Sequence, residues 1–149
     1  MKQAMIGHKG EQAVTVRALR GAAPYMHMYK GKVFVVKTGG GAFRDAGTMR
    51  AFVEQVTILH HLGIRVVLVH GGGPQIGQML ERLKIKSQFI DGLRVTDKAT
   101  VEIVEMVLAG AINKEIVSAI NGQGGKAVGI CGKDANLMIA KRITELLDP

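Results

Sequence analysis

The stretch VVLVHGGGPQIG, residues Val66–Gly77, gives the clearest indication of the fold of this chain. The β-branched and apolar residues of Arg65–His70 predict a buried strand. Gly71–Gly73 then predict a tight turn, and Pro74 suits the first turn of a following helix. A strand, a glycine turn and a helix in this order predict a right-handed βαβ unit built on a parallel sheet.

The preceding sequence repeats this pattern. Lys32–Lys37 predicts a second buried strand that is apolar on both faces, and it ends in the turn Thr38–Gly41. Apolar residues at helical spacing between Met49 and Leu59 predict the next helix, which Gly63 ends. The predicted fold class is therefore α/β with a mainly parallel sheet.

The regions on either side of these units are less regular. Residues up to Met28 predict a helix with a kink or break near Gly21 and Pro24, because proline lacks an N–H and glycine is a poor helix former. Further along the chain, Gln88–Val95 predicts a hairpin around Asp91–Gly92, a sequence typical of tight β-turns.

The last third of the chain carries another candidate strand. Thr96 or Asp97 can cap a helix, and a further helix is expected to end at Gly122. Lys126–Ile130 then predicts a third buried strand, and Leu137–Ala140 is expected to return as its antiparallel partner.

The composition of this chain of 149 residues favours some classes of binding partner over others. Its net charge of +8 and pI near 9.9 favour anionic partners such as phosphates, carboxylates, nucleic acid or an acidic membrane face. The basic residues are scattered and the aromatic content is only 4%, which argues against nucleic acid. No apolar run approaches the ~20 residues of a spanning helix, and residues 1–14 lack the continuous apolar segment that a secretory signal is expected to have. With Cys131 as its single cysteine, the chain is expected to be a soluble cytoplasmic protein without a membrane partner.

Candidate site residues cluster around the glycine turns. Gly71–Gly73 lie between a strand and a helix N-terminus, where exposed backbone N–H groups bind anions, although a simple packing turn is the alternative. Lys37 can reach the same crevice or be an ordinary surface lysine. Arg94 can grip a carboxylate in a bidentate manner or form a surface ion pair. Neither turn matches a P-loop or a dinucleotide fingerprint, and the adjacent His60 and His61 do not predict a metal site.

A series of longer motifs runs from about Ala18 to Arg142, most of the chain. In chain order they are VVKTGGGAF (Val35–Phe43), LVHGGGPQIG (Leu68–Gly77), DGLRVTD (Asp91–Asp97), EMVLAGAINKEIV (Glu105–Val117) and AVGICGKDANLM (Ala127–Met138). Together they resemble the acetylglutamate kinases of the amino acid kinase family. This resemblance implies a three-layer αβα sandwich and ATP-dependent phosphorylation, with Mg²⁺, of the γ-carboxylate of N-acetyl-L-glutamate in arginine biosynthesis.

The resemblance also implies a role for each candidate residue. Lys37 is similar to the family's lysine that stabilises the transferring phosphoryl group, and Gly39 and Gly40 to the backbone donors for phosphate oxygens. Gly72 and Gly73 are similar to the pair that contacts acetylglutamate. Arg94 is similar to the arginine that holds a substrate carboxylate.

The chain departs from the family pattern in two places. Its first turn has Thr38 and a run of glycines where the family more often has a bulkier residue before its glycines. The nucleotide-binding lobe, which carries a catalytic aspartate, a second lysine, a substrate-contacting asparagine and the adenine site, has no matching segment. The expected organisation is a helical extension over 1–28 and a substrate-binding lobe over 29–149, inactive alone.

The resemblance further implies a homo-oligomer, either a dimer or a hexamer interlocked through the N-terminal helix. Two other functions stay open at this point. One is the regulatory kinase-like domain of an acetylglutamate synthase, in which Lys37 has no purpose. The other is a non-catalytic anion-binding or oligomerisation module.

Overall fold

A computed structural model describes residues 2–43 and 45–141, with side chains from residue 11 onward. The end of the expected lobe, 142–149, lies outside the described residues. Within them the helices are α1 (Lys2–Tyr29), α2 (Ala46–His61), α3 (Gly73–Arg82), α4 (Lys98–Glu105) and α5 (Asn113–Gly122). The strands are β1 (Val33–Thr38), β2 (Arg65–His70), β3 (Gln88–Ile90) and β4 (Leu93–Val95).

The first sheet joins β1 and β2 in parallel, with Val33 opposite Arg65 and Thr38 opposite His70. The helix α2 connects them, so the predicted βαβ unit and the α/β class are confirmed. The strand Arg65–His70 and the helix that follows Gly72 lie where the sequence predicts them.

The hydrophobic core lies on one face of this sheet. Side chains from α2, α3, α5 and the π-helical segment Met106–Ile112 form it, with Val53 and Leu80 almost completely buried. Val66 and Leu68 of β2 pack against this cluster. The helices and the core therefore hold the sheet from a single side.

The opposite face of the sheet corrects the expectation that both strands are buried on both faces. Val35 and Val69, for example, are 68% and 46% exposed. Side chains alternate across a strand, so the helices on one side cover only every second residue of β1 and β2.

The antiparallel pair β3 and β4 confirms the predicted hairpin. Asp91 and Gly92 both have positive φ, at 49° and 77°, as a type I′ turn requires. Asp97 caps α4 by accepting a hydrogen bond from Thr100 N–H, so Asp97 rather than Thr96 is the cap.

Two predicted strands are wrong. Neither Lys126–Ile130 nor Leu137–Ala140 forms a strand. Side chains of α5 bind the first of these segments instead: the Asn121 amide bonds both the N–H and the carbonyl of Ala127. These bonds use backbone groups that a sheet would otherwise pair, so the β-branched pattern is overridden locally.

Of the predicted kink or break near Gly21 and Pro24, the break is absent. The helix α1 continues through Gly21 and Pro24 to Tyr29. Proline removes one backbone hydrogen bond, and the helix continues past it here. No helix among the described residues is both long and apolar enough to cross a membrane.

Candidate active site

The two glycine turns lie side by side at the carboxyl end of the parallel sheet. Thr38 is the partner of His70 in the sheet register, and Gly71 N–H donates a hydrogen bond of 3.1 Å to the Thr38 carbonyl. Both turns therefore leave their strands at the same level. Ligands of open parallel sheets bind at this end, which is where the predicted anion site lies.

The turns approach each other so closely that Gly40 has no room for a side chain. A Cβ added to Gly40 would lie 2.9 Å from both the Gly72 Cα and the Pro74 Cδ. Gly40 is buried, and it begins a short 3-10 turn that runs to Phe43. Glycine is needed here for backbone approach.

Gly72 is crowded from its other side. A Cβ added to Gly72 would overlap the Ile112 Cδ1 and would lie 2.7 Å from the Leu108 Cδ2, both at the ends of flexible side chains. The φ of Gly72 is −173°, an extended value that any residue can adopt. Close packing against the π-helical segment therefore explains this glycine.

Three neighbouring glycines are open instead. A Cβ added to Gly39, Gly41 or Gly73 would meet no atom within 4 Å. Gly73 begins α3, where the first N–H groups of a helix lack intrahelical partners. The space around these residues leaves their backbone accessible to an anion.

Gln75 links the two turns by hydrogen bonds, and no sequence pattern predicted this role. Its Nε2 donates to the Gly40 carbonyl at 2.9 Å and to the Phe43 carbonyl at 3.2 Å. Its Oε1 is buried and, among the described residues, has no hydrogen-bond partner. A single glutamine carries no spacing signal, so only its position directly after the glycine turn and Pro74 could have indicated it.

Lys37 lies one residue before the end of β1, on the exposed face of the sheet. Its register partner is Val69. The structure therefore brings Lys37 to the same end of the sheet as Gly39 and Gly40, on the face that the helices leave open.

A polar cluster lies behind the second turn. His70 Nε2 is 3.5 Å from Asn113 Nδ2, and the His70 ring packs edge-on against Phe43 with centroids 6.1 Å apart. Lys114 Nζ donates to Asn113 Oδ1 at 3.1 Å and to the Gly129 carbonyl at 3.0 Å. This cluster supports the turn and links it to α5.

Arg94 is the one predicted site residue whose contacts lie elsewhere. It belongs to β4, and its guanidinium carbon lies 4.6 Å from the centre of the Phe89 ring. It also donates a hydrogen bond to the Ser87 hydroxyl. Both partners belong to the hairpin region, so local contacts orient this arginine.

Asp45 and Asp97 begin the helices α2 and α4. Hydrogen bonds from the Thr48 hydroxyl and N–H lower the pKa of Asp45 below its usual value, and those from Thr100 do the same for Asp97. Both carboxylates are thus committed to helix capping. Among the described residues, no three His, Cys, Asp or Glu side chains come together to hold a metal ion.

The family resemblance implies ATP as the source of the phosphoryl group. The open backbone at Gly39 and Gly41, with Lys37 nearby, fits the phosphate end of a nucleotide. Backbone N–H groups and a lysine are the usual partners of such phosphates.

Parallel strands that end in glycine turns beside a lysine are typical of α/β proteins that bind anions at the carboxyl end of the sheet. A family model described as the amino acid kinase family matches residues 32–148. The chain belongs to the amino acid kinase family. The resemblance drawn from the motifs is thereby confirmed.

Curated relatives are more specific. The acetylglutamate kinase of Rhodospirillum centenum is 56% identical over 90% of this chain, and that of Azorhizobium caulinodans is 49% identical over 100% of it. The chain spans about half the length of these relatives, 44% and 50% respectively.

Solved structures share the fold. N-acetylglutamate synthase from Neisseria gonorrhoeae, complexed with coenzyme A and N-acetyl-glutamate, has a TM-score of 0.61 and 28% identity. The match covers 72% of this chain and 25% of the synthase chain. The protein smu.665 from Streptococcus mutans has a TM-score of 0.54 and 29% identity, over 63% of this chain and 37% of its own.

Proposed function

We propose that this chain is the substrate-binding half of an ATP-dependent acetylglutamate kinase, which phosphorylates the γ-carboxylate of N-acetyl-L-glutamate in arginine biosynthesis. The observation that carries the proposal is the meeting of Gly40 and Gly72 at the end of the sheet, beside Lys37. Curated relatives named acetylglutamate kinase support it.

The second turn and the hairpin hold the acceptor in this proposal. Backbone N–H groups at Gly72 and Gly73 receive acetylglutamate at the positive end of α3. Arg94 pairs with a substrate carboxylate in a bidentate, charge-assisted manner. This requires the substrate to extend from the glycine turn toward the hairpin.

The first turn handles the phosphoryl group in this proposal. ATP supplies that group, with Mg²⁺, and the substrate carboxylate oxygen is the nucleophile, so no side-chain nucleophile is needed. Lys37 and the backbone N–H groups of Gly39 and Gly40 stabilise the negative charge that spreads over the phosphoryl oxygens during transfer.

We further propose that the chain needs a nucleotide-binding lobe for catalytic turnover of its substrate, because it spans about half the length of its kinase relatives. In this scheme the adenine site belongs to that lobe. The complete enzyme is expected to be a cytoplasmic homo-oligomer, a dimer or a hexamer formed through α1. Native mass spectrometry of an enzyme that contains both lobes distinguishes these assemblies.

A regulatory domain of an acetylglutamate synthase is the second candidate, favoured by the structural match to a synthase. The kinase relatives are nearly twice as similar in sequence, at 49% to 56% against 28%. Lys37 separates the two candidates chemically, because ligand binding without phosphoryl transfer has no use for it.

Calorimetry with N-acetyl-L-glutamate tests the proposed substrate. The wild-type chain is expected to bind it, and Arg94→Ala to weaken binding about tenfold or more because a charge-assisted pair is lost. Arg65→Ala is the matched control, since this exposed arginine lies at the opposite end of β2. A folded wild-type chain that binds no acetylglutamate would refute the proposal.

Lys37→Ala tests the division of roles within the site. Acetylglutamate affinity is expected to stay close to wild type, because Lys37 faces the phosphoryl group. In an enzyme containing both lobes, kcat is expected to fall by about a hundredfold or more, the scale of losing one charge-stabilising donor. Lys32→Ala, just before the other end of β1, is the control. Unchanged kcat in Lys37→Ala would favour the regulatory-domain alternative.

A further inference from the structure

The side chain of Gln75 combines two hydrogen bonds with one buried polar atom that lacks a partner among the described residues. It lies on α3 and is half-buried. Its amide nitrogen donates hydrogen bonds to two carbonyls of the first glycine turn, those of Gly40 and Phe43. Its Oε1 is buried without a partner among the described residues. A buried unpaired acceptor costs free energy, so packing alone would favour an apolar residue here.

The bond to the Gly40 carbonyl sets the direction of the next peptide N–H. The described peptide bonds are trans, so the carbonyl of Gly40 and the N–H of Gly41 point in opposite directions. Gln75 draws the Gly40 carbonyl toward α3. The Gly41 N–H is therefore turned away from α3.

The space beside Gly41 is open. A Cβ on Gly41 would meet nothing within 4 Å, whereas one on Gly40 would lie 2.8 Å from the Gln75 Oε1. The turn is thus crowded against Gln75 at Gly40 and open beside Gly41. The second bond of Gln75, to Phe43, fixes the far end of the same 3-10 turn.

We propose that Gln75 is a positioning residue that orients the backbone N–H groups of the first glycine turn toward an anion and locks this turn against the second one. The identity of the anion as a transferred phosphoryl group rests on the proposed function. The orientation itself does not, so the two can fail separately.

Amide NMR of the ¹⁵N-labelled chain, titrated with inorganic phosphate, tests this role. In wild type, phosphate is expected to shift the resonances of Gly39, Gly40 and Gly41. In Gln75→Leu, which cannot donate, phosphate affinity is expected to fall about tenfold, and the amides of the turn to exchange with solvent about tenfold faster. Amides of β2 and α5 should keep their wild-type exchange rates.

Gln78→Leu is the matched control, because Gln78 is a second glutamine on α3 and is exposed. It should behave as wild type. The proposal is overturned if the turn of the wild-type chain does not respond to phosphate, or if Gln75→Leu binds phosphate as tightly as wild type. Faster exchange throughout the chain, with no specific change at the turn, would also overturn it.

Gln75→Glu keeps the test valid if the leucine variant does not fold. A carboxylate accepts only, whereas the protonated acid can donate one hydrogen bond to the Gly40 carbonyl. Relative to wild type at each pH, phosphate binding by Gln75→Glu should recover as the pH falls through the pKa of the new carboxyl group. The absence of any recovery would count against the positioning role. Acetylglutamate calorimetry on wild type separately decides the proposed function.

Discussion

The glycine turns and the Arg94 hairpin differ in the range of the contacts that hold them. Gly40 touches Gly72 across more than thirty positions of sequence, and Gln75 closes the same gap with hydrogen bonds. Arg94, in contrast, is held by Ser87 and Phe89 from its own hairpin region. Half of the candidate site therefore depends on the tertiary packing of the sheet and helices, while the other half is a local structure.

The largest expected effect is at the point where the turns meet. Gly40→Ala should lower the free energy of unfolding by about 3 kcal/mol, the upper end of the range for overpacking, because the new methyl group meets backbone that cannot move alone. Thermal or urea unfolding measures this. The control is Gly41→Ala, which has open space and should cost little. Equal effects at the two positions would contradict the close contact between the turns.

A smaller effect is expected at Gly72. Gly72→Ala should lower the free energy of unfolding by about 1–2 kcal/mol, because the ends of the Ile112 and Leu108 side chains can move aside. Gly73→Ala, the adjacent control, should change stability by less than about 0.5 kcal/mol, since its side chain would be exposed. If the order of the two variants were reversed in unfolding experiments, the packing against the π-helical segment would be in error.

The hairpin should respond locally. Phe89→Leu should cost about 0.5–1 kcal/mol through loss of the exposed cation–π contact with Arg94. A double-mutant cycle with Arg94→Ala measures this coupling by chemical unfolding. The coupling energy between Phe89 and Gly40 should be near zero because they share no contacts. A large value would mean that the hairpin and the glycine turns are not energetically independent.

The smallest effect concerns pH. Hydrogen bonds lower the pKa of Asp45, so its stabilising contribution is present above the usual carboxyl value of 3.8 and is lost as the pH falls through the lower folded value. Asp45→Asn removes this titration and keeps a good N-cap. Acidification should therefore lower the melting temperature of wild type slightly more than that of Asp45→Asn. Parallel curves would contradict the lowered pKa.

Much of the fold follows from local sequence patterns. The β-branched run of Arg65–His70, the apolar spacing of α2 and the Asp91–Gly92 turn each favour their own element before any tertiary contact forms. The segment Lys126–Ile130 carries a similar β-branched pattern and forms no strand, because bonds from α5 side chains hold its backbone. The prediction that both faces of the sheet are buried is wrong for a related reason. Apolar residues in the strands do not by themselves provide helices to cover the second face.

The candidate site divides in the same way. Strand ends and motifs predict five candidate site residues that the structure brings to one end of the sheet: Lys37, Gly39, Gly40, Gly72 and Gly73. Their ligands and roles stay predictions. Gln75 could not be found, because a hydrogen bond between residues separated by 35 positions leaves no periodic signal in the sequence.

Local sequence patterns account for the order of strand, glycine turn and helix and for the hairpin. These depend on backbone preferences and spacing within short stretches, which the residues carry with them. An anionic ligand at the turns stays a prediction. Short stretches of sequence do not show which glycines are packed, which are open, or which side chain fixes the first turn. Those features depend on how separate elements meet, and the contact between Gly40 and Gly72 exists only once β1 and β2 have paired.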